Sequence, residues 1–201
     1  NPDLRIFIRN AMAVGDTVGR EMHENEGYKT IRFTWRMEIT LEEAPSVLEL
    51  PKGIELRPFG MEQDHAVYQA HEEAFSDHWG HVHRSYEEWT HHNEDRDRSL
   101  WLIAWEDDQI AGYSLNRIRN GIGWVSSLGV RRPWRKIGLG YSLLIHSFGE
   151  FYKRGTKTIG LGVDAENPTG ATRLYIKAGM YAASELVIYE KELRSGQSVD
   201  E

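Results

Sequence analysis

A short basic stretch that contains two glycines holds the residue types that could bind a phosphate compound. It runs Val130-Arg131-Arg132-Pro133-Trp134-Arg135-Lys136-Ile137-Gly138-Leu139-Gly140-Tyr141. An apolar, strand-like run precedes it and apolar residues at helical spacing follow it, so a strand is predicted to turn directly into a helix. The first amides of such a helix lack intrahelical partners and carry the positive end of its dipole. Because glycine has no side chain, a ligand could reach those amides, and the stretch predicts a phosphate or pyrophosphate site.

The spacing of these residues narrows the choice of phosphate ligand. The Walker pattern G-x-x-x-x-G-K-[ST] does not occur in the sequence, which argues against a nucleotide-binding P-loop. The spacing Arg135-x-x-Gly138-x-Gly140 resembles motif A of the GCN5-related N-acetyltransferase (GNAT) family, where this loop holds the pyrophosphate of acetyl-coenzyme A. On the loop alone, a basic segment that merely enters a helix is an equally good interpretation.

A second motif strengthens the resemblance. The stretch Asn167-Pro168-x-x-Ala171-x-x-Leu174-Tyr175-x-x-x-Gly179-Met180 is similar to motif B of the same family, and it follows a predicted strand. The predicted helix opens at Asn167 and Pro168, with proline in its first turn. The order of predicted elements indicates an α/β (α+β) fold. The resemblance makes it GNAT-like, with a mixed, mostly antiparallel central sheet and helices on both faces.

The resemblance also implies roles for individual residues. The end of the strand, from Leu128 to Val130, would pair with the pantetheine arm, and the loop from Arg135 to Tyr141 would bind the pyrophosphate. Asn167 would contact the pantetheine, and Tyr175 would be the catalytic residue that protonates the departing thiolate. No metal is expected. The implied coenzyme-binding residues are Leu128, Gly129, Val130, Arg135, Lys136, Ile137, Gly138, Leu139, Gly140, Tyr141 and Asn167.

The acceptor side of the site is less well marked. An ammonium substrate must lose a proton before it attacks a thioester, so a base or a water chain is needed. A histidine-rich segment supplies candidates, and several other polar residues lie on predicted loops or strands. The sequence therefore does not identify which residue is the base. The candidates are His78, His81, His83, Asp77, Glu106 and Asn116.

Composition excludes several classes of protein. The 201 residues carry a formal net charge of −7, which argues against a general nucleic-acid binder. There is no cysteine, which excludes disulfides and thiolate catalysis and fits a reducing cytoplasm. No apolar run is long enough to span a membrane. The resemblance implies a small-molecule amine as the partner, and composition adds the expectation of a cytoplasmic protein without nucleic-acid or membrane partners.

A faint internal repeat suggests how the chain is divided. Residues 20–28 resemble residues 172–180, each a predicted helix that ends at glycine and leads into a strand. This arrangement resembles tandem GNAT proteins of the mycothiol synthase type. The predicted parts are a remnant of a preceding GNAT-like domain (1–44), a linker (45–52), a complete acetyltransferase domain (53–193) and a tail (194–201). Residues 28–40 alternate in polarity and should pack against the main domain or a second copy of the chain, which would make a homodimer.

Three functions remain from the sequence. The first is an acetyl-coenzyme A dependent N-acetyltransferase that acts on the amine of a small molecule or an aminoacyl compound by direct attack on the thioester. The second is a catalytically inactive acyl-coenzyme A binding regulatory domain, and the third is an unrelated phosphate-binding module. Tyr175 together with an intact loop from Arg135 to Gly140 favours the first.

Overall fold

A computed structural model describes residues 3–167 and 169–197 of the chain. The strands are Ile6–Ala13 (β1), Lys29–Thr40 (β2), Glu55–Arg57 (β3), Leu102–Glu106 (β4), Gln109–Arg119 (β5), Ile122–Val130 (β6), Thr158–Asp164 (β7) and Tyr181–Arg194 (β8). The α-helices are Thr17–Asn25 (α1), Asp64–Phe75 (α2), Tyr86–His92 (α3), Leu139–Lys153 (α4) and Ala171–Lys177 (α5). Within the described residues, no helix is long and apolar enough to cross a membrane.

These elements fall into two compact units. One comprises the described residues up to 38 together with those of 162–176 and 180–197. The other comprises residues 39–161 and 177–179. Each unit is described separately below, and the predicted domain boundaries at residues 44, 52 and 193 stay a prediction.

The unit of residues 39–161 is built on a sheet with the strand order β7-β6-β5-β4-β3. The pairs β3–β4, β4–β5 and β5–β6 are antiparallel, and β6 and β7 are parallel. Short connections explain the antiparallel pairs, because β4 and β5 are joined by a two-residue turn in which Asp107 adopts the left-handed conformation with φ 49°. The parallel pair requires a crossover, which α4 supplies.

Helices cover both faces of this sheet. Since successive side chains of a strand point to opposite faces, Tyr113 and Leu115 face one way, and with Ile103 they pack against α2 and α3. Ala104 faces the other way and packs against α4, and Ala111 joins it there because a bulge at Ala111 interrupts the alternation of β5. The predicted fold, a mixed and mostly antiparallel sheet with helices on both faces, is thereby confirmed.

The other unit is organised around β8. This strand lies between β1 and β2 and pairs with both in the antiparallel sense. The register joins Lys29 to Glu190 at one end and Glu38 to Tyr181 at the other. Residues 28–40 therefore pack against a later segment of their own chain, the first of the two predicted alternatives.

Three sequence predictions about elements are wrong. The sequence predicts two short strands between Tyr181 and Glu192, but this region forms one strand of 14 residues, because it has a partner strand on each side. The sequence predicts a helix from about Met12 to Asn25, but α1 begins at Thr17, since Asp16 caps it by accepting a hydrogen bond from the Gly19 amide. Helix α5 begins at Ala171 and not at Asn167, and Pro168 lies outside the described residues.

Candidate active site

The loop after β6 is held in place by two side chains. Trp134 is 7% exposed in the core beneath α4, and its indole N–H donates to Glu106 Oε2 at 2.8 Å. The Arg135 Nε donates to the carbonyl oxygen of Val130 at 3.1 Å, which ties the loop back to the end of the strand. Arg135, predicted to contact the coenzyme, therefore also holds the loop in position.

The next six residues, 136–141, present their backbone amides without internal partners; we call them the amide loop. In the described part of the chain none of these N–H groups has a hydrogen-bond acceptor, and the first helical bond runs from Ser142 N to Gly138 O at 3.1 Å. Lys136 and Gly138 both adopt left-handed conformations, with φ of 69° and 91°, which turn successive amides to the same side. Gly138 is the N-cap of α4, and no side chain caps that helix. Such a loop is suited to bind an anion.

The arginines of this region contribute less free charge than the sequence predicts. Arg131 pairs with Glu73 at 2.6 Å, and Arg132 pairs with Asp77 at 2.8 Å. Arg135 lies 3.8 Å from the same Asp77 carboxylate. The carboxylates of α2 and of the turn after it therefore offset much of the positive charge, and the backbone amides are the principal anion-binding groups of the loop.

The end of β6 is suited to receive an extended ligand. The register between β6 and β7 joins only Gly123 to Ile159 and Trp124 to Gly160 within the described residues. β5 pairs with β6 along its whole length, with a bulge at Ser126, so from Val125 onward β6 has, among the described strands, a partner on the β5 side only. Beyond that bulge lie Leu128, Gly129 and Val130, the three residues predicted to pair with pantetheine. Their edge on the β7 side is thus open to an added strand.

A buried polar cluster lies beside this strand end. The hydroxyl of Tyr113 lies 3.1 Å from His71 Nδ1, and the hydroxyl of Ser127 lies 3.3 Å from the same nitrogen. Burial lowers the pKa of His71 to about 4, so the ring is neutral near pH 7. A Cβ on Gly129 would lie 2.3 Å from the Tyr113 hydroxyl oxygen, so glycine at this position lets the tyrosine cross the strand.

The predicted bases lie elsewhere or have other partners. His81 and His83 both approach Glu72 Oε2, at 3.4 and 2.6 Å. The His78 ring packs against the Phe75 ring, with the ring centroids 4.4 Å apart and the planes tilted by 41°. Asn116 is buried and donates to Leu100 O and to Ser147 Oγ, which is a structural role. Asp77 and Glu106 are bonded to Arg132 and Trp134, as described above. No cluster of metal-binding side chains is found among the described residues.

His71 is not among the residues that the motifs identify, although the sequence contains one signal for it. It lies on α2 four residues after Val67 and three before Ala74, both of which are buried. A histidine on the apolar face of a helix usually has a hydrogen-bond partner in the core. The sequence does not identify that partner, because Tyr113 and Ser127 come from two distant strands.

Tyr175 and Asn167 lie in the unit that is organised around β8. Tyr175 lies on α5 and is 9% exposed, and burial raises its pKa to about 12. Its carbonyl accepts from the Met180 amide at 3.0 Å, which closes the helix before Gly179. The Asn167 side-chain oxygen accepts from the Thr169 amide at 2.8 Å and so forms a local turn. The structure therefore assigns Asn167 a turn-forming contact beside its predicted role.

Comparison with known proteins gives relatives of one kind. Two proteins named mycothiol acetyltransferase, from Kytococcus sedentarius and Renibacterium salmoninarum, are 29% and 28% identical over 85% of this chain. The chain covers 61% and 54% of their respective lengths. A GCN5-related N-acetyltransferase structure from Sphaerobacter thermophilus is 36% identical with a TM-score of 0.89, covering all of this chain and 64% of its own.

A more distant structure shares the fold. A tandem GNAT protein from the clavulanic acid biosynthesis pathway has a TM-score of 0.71 at 13% identity, over 96% of this chain and 65% of its own. The model of the acetyltransferase (GNAT) family matches residues 65–180, which is more than half of the 201 residues and includes the amide loop, Ser127 and Tyr175. The chain therefore belongs to the acetyltransferase (GNAT) family, whose members use acetyl-coenzyme A as co-substrate, and the family predicted from the two motifs is confirmed.

Proposed function

We propose that this chain transfers the acetyl group of acetyl-coenzyme A to the amine of a small molecule or an aminoacyl compound. The observation that carries the proposal is the amide loop, in which six consecutive backbone N–H groups lack internal acceptors at the start of a 15-residue helix. Pyrophosphate offers several charged oxygens to such donors, and the helix dipole adds to the attraction.

The strand end accounts for the rest of the coenzyme. A pantetheine arm carries two amides, and it can pair with Leu128, Gly129 and Val130 as an added strand does. The open edge beyond Trp124 supports this placement, since β7 no longer pairs with β6 there. The thioester would then lie close to Ser127, whose hydroxyl approaches His71.

The reaction is a direct acyl transfer. The lone pair of the acceptor nitrogen attacks the thioester carbonyl carbon, the carbon–sulfur bond breaks, and the sulfur departs as a thiolate. The nitrogen loses one proton to water or to a base, and the thiolate gains one. Tyr175 is the proposed donor, because a pKa raised to about 12 keeps its phenol protonated near pH 7. The same raised pKa makes a hydrogen bond to the sulfur its principal contribution, with solvent completing the protonation.

His71 contributes on the acceptor side. Because its ring is neutral, one nitrogen can bond to the hydroxyls of Tyr113 and Ser127 while the other accepts an N–H of the incoming amine. A group with a pKa of about 4 is too weak a base to hold the proton of an ammonium. Its proposed role is therefore to orient the neutral amine, and water removes the proton.

The amide loop can be tested with a matched pair of variants. Gly138 and Gly155 both have positive φ, 91° and 79°, and a Cβ on either would meet nothing within 4 Å. Asparagine tolerates this conformation better than most residues, so Gly138→Asn and Gly155→Asn should fold with similar small losses of stability. Acetyl-coenzyme A should raise the melting temperature of the parent and of Gly155→Asn. Gly138→Asn should lose that rise, because its side chain occupies the ligand's approach.

Two outcomes would contradict the proposal. If the parent shows no thermal shift with acetyl-coenzyme A, the amide loop does not hold the coenzyme. If the shift is present but a panel of amines gives no coenzyme A release, the chain binds acetyl-coenzyme A without turnover, which is the regulatory alternative predicted from the sequence.

A further inference from the structure

A group of three arginines lies on the same side of the sheet as α2 and α3; we call it the arginine cluster, and it comprises Arg84, Arg96 and Arg117. Arg117 lies two residues after Leu115 on β5, so its side chain starts toward the face that α3 covers. Arg84 directly precedes Ser85, the N-cap of α3, and Arg96 follows soon after the end of that helix. Trp89 of α3, 3% exposed, packs into the core on this face and fixes the helix there.

The three guanidinium groups lie close enough together that their charges influence the pKa values of the same basic groups. The pKa of Arg96 is lowered by burial and then by the charges of Arg117 and Arg84. The pKa of His92, at the end of α3, is lowered by burial and then by all three arginines. No carboxylate is among the groups that shift either value. Four basic groups therefore share one region of the surface.

The arginine cluster lacks counter-charges. Within the described ranges, none of the three guanidinium groups forms an ion pair or a hydrogen bond. The Nε of Arg117 is fully buried without an acceptor. By contrast Arg98, two residues after Arg96, is paired with Asp64 at 2.7 Å. Buried donors without acceptors are uncommon, and like charges repel, so this arrangement costs stability unless an anion joins it.

The position of the arginine cluster relates it to the acceptor. Arg117 pairs in register with Trp124, four residues before Leu128 on β6. Because β6 is bulged at Ser126, the matching span on β5 runs only from Ser114, the partner of Leu128, to Arg117, which is roughly 10 Å at the rise of a β-strand. The coenzyme, in the proposed function, occupies the other end of the same strand and the amide loop beyond it. An acceptor whose amine reaches the thioester near Leu128 would extend its far end toward Arg117.

We propose that the arginine cluster binds an anionic group of the acceptor, so that the substrate is an amine with a phosphate or a pair of carboxylates roughly 10 Å from its nitrogen. The inference rests on the proposed function for the position of the reacting amine. The chemistry of the site supports it independently, because guanidinium groups recognise phosphate and carboxylate oxygens through paired hydrogen bonds.

Small peptides provide probes of suitable length that differ by one group. The tripeptide amide Ala-Ala-phosphoserine places its phosphate on the order of 10 Å from the N-terminal amine, and Ala-Ala-Ser amide lacks the phosphate. A second pair, the amides of Ala-Ala-Glu and Ala-Ala-Gln, tests a single carboxylate. Each would be titrated calorimetrically into the full chain saturated with coenzyme A, which cannot react and which occupies the amide loop.

The expected result is a preference of about tenfold or more for the phosphopeptide over its serine counterpart. Arg117→Gln and Arg96→Gln should remove most of that preference. Arg119→Gln is the matched control, since Arg119 lies on the same strand but is exposed and does not affect the pKa of Arg96 or His92. A smaller preference for the glutamate peptide than for the phosphopeptide would identify phosphate as the favoured group.

A structural role for these arginines predicts a different pattern. If the arginine cluster is a ligand site, Arg117→Gln and Arg96→Gln without ligand should melt no lower than the parent, because each removes a repelling charge. Lower melting in both variants would instead indicate structural arginines and would overturn the proposal. Equal binding of charged and neutral peptides, an unchanged preference in the variants, or no binding of either peptide would overturn it as well.

The coenzyme titration separates this proposal from the proposed function. If coenzyme A binds and the peptides show no dependence on charge, the arginine cluster inference fails alone. If coenzyme A does not bind but the phosphate preference and its dependence on Arg117 persist, the anion site stands and the proposed function fails.

Discussion

The stability of the protein should depend on pH in a way that His71 controls. Burial lowers the pKa of this residue from 6.5 to about 4 in the folded chain. Between these values the unfolded chain binds a proton at His71 that the folded chain does not. Protonation of His71 therefore leaves the free energy of unfolding unchanged above pH 6.5 and decreases it as the pH falls toward 4.

The size of the effect follows from the same two values. A pKa difference of one unit corresponds to about 1.4 kcal/mol, so protonation of His71 should cost on the order of 3 kcal/mol at pH below 4. At pH 5 the unfolded chain is almost fully protonated at this position and the folded chain is not, and the cost is about 2 kcal/mol. For a chain of this size that corresponds to a melting temperature lower by about 4–8 °C.

The measurement compares melting temperatures at pH 7.5 and pH 5 for the parent, His71→Gln and His91→Gln. Glutamine keeps a hydrogen-bonding group near Tyr113 but does not titrate, so His71→Gln should lose about 4–8 °C less than the parent on acidification. His91 has a side chain that is 87% exposed, and its replacement should leave the drop nearly unchanged. If the melting temperature falls equally for His71→Gln and the parent, burial does not lower the pKa of His71 as described. The proposed role of a neutral His71 in orienting the amine would then lose its support.

The remaining predictions concern the strand end and the proposed acid. Gly129→Ala should cost about 1–3 kcal/mol, because its Cβ would lie 2.3 Å from the Tyr113 hydroxyl oxygen and 2.4 Å from the ring carbon that bears it. In denaturant unfolding, the double variant with Tyr113→Ala should therefore lose less stability than the sum of the two single variants. If Gly129→Ala costs the same free energy of unfolding with and without the Tyr113 side chain, the contact with Tyr113 is not the source of the strain. Tyr175→Phe should lower kcat by about a hundredfold while acetyl-coenzyme A binding is retained, since the ring still packs but no proton is offered to the sulfur. An unchanged kcat, in an assay where chemistry limits the rate, would remove Tyr175 from the mechanism.

Features set by neighbouring residues could be predicted from the sequence. Serine at position 85 with glutamate three residues later is a sequence pattern that predicts a capping box, and the structure has one, with Glu88 N donating to Ser85 Oγ at 3.2 Å. The hairpin of β4 and β5 and the turn from β6 into α4 also occur where the sequence places them. In these cases the determining contacts lie within a few residues of each other, so the residue pattern contains both partners.

Features set by distant partners could not be predicted in the same way. The alternation in residues 28–40 predicts a strand, but periodicity does not identify the strand that pairs with it, and β8 lies about 150 residues later. The arginines that precede the amide loop have the sequence context of free charges, but the structure pairs Arg131 with Glu73 and Arg132 with Asp77. Residue types give the charge of a segment, whereas its electrostatic potential also depends on what folds against it.

The two groups of arginines in this chain show that the sequence alone does not tell which charges are paired. Those next to the glycines attract attention in the sequence because they cluster along the chain, yet Glu73 and Asp77 pair with them. Arg84, Arg96 and Arg117 are spread over 34 residues, and each one alone has the sequence context of a solvated arginine. They come together because α3 packs its Trp89 onto the face of β5 that carries Arg117, so this group of unpaired charges in the described structure arises from packing. Substrate selection in the proposed enzyme would then depend on residues that no local motif marks.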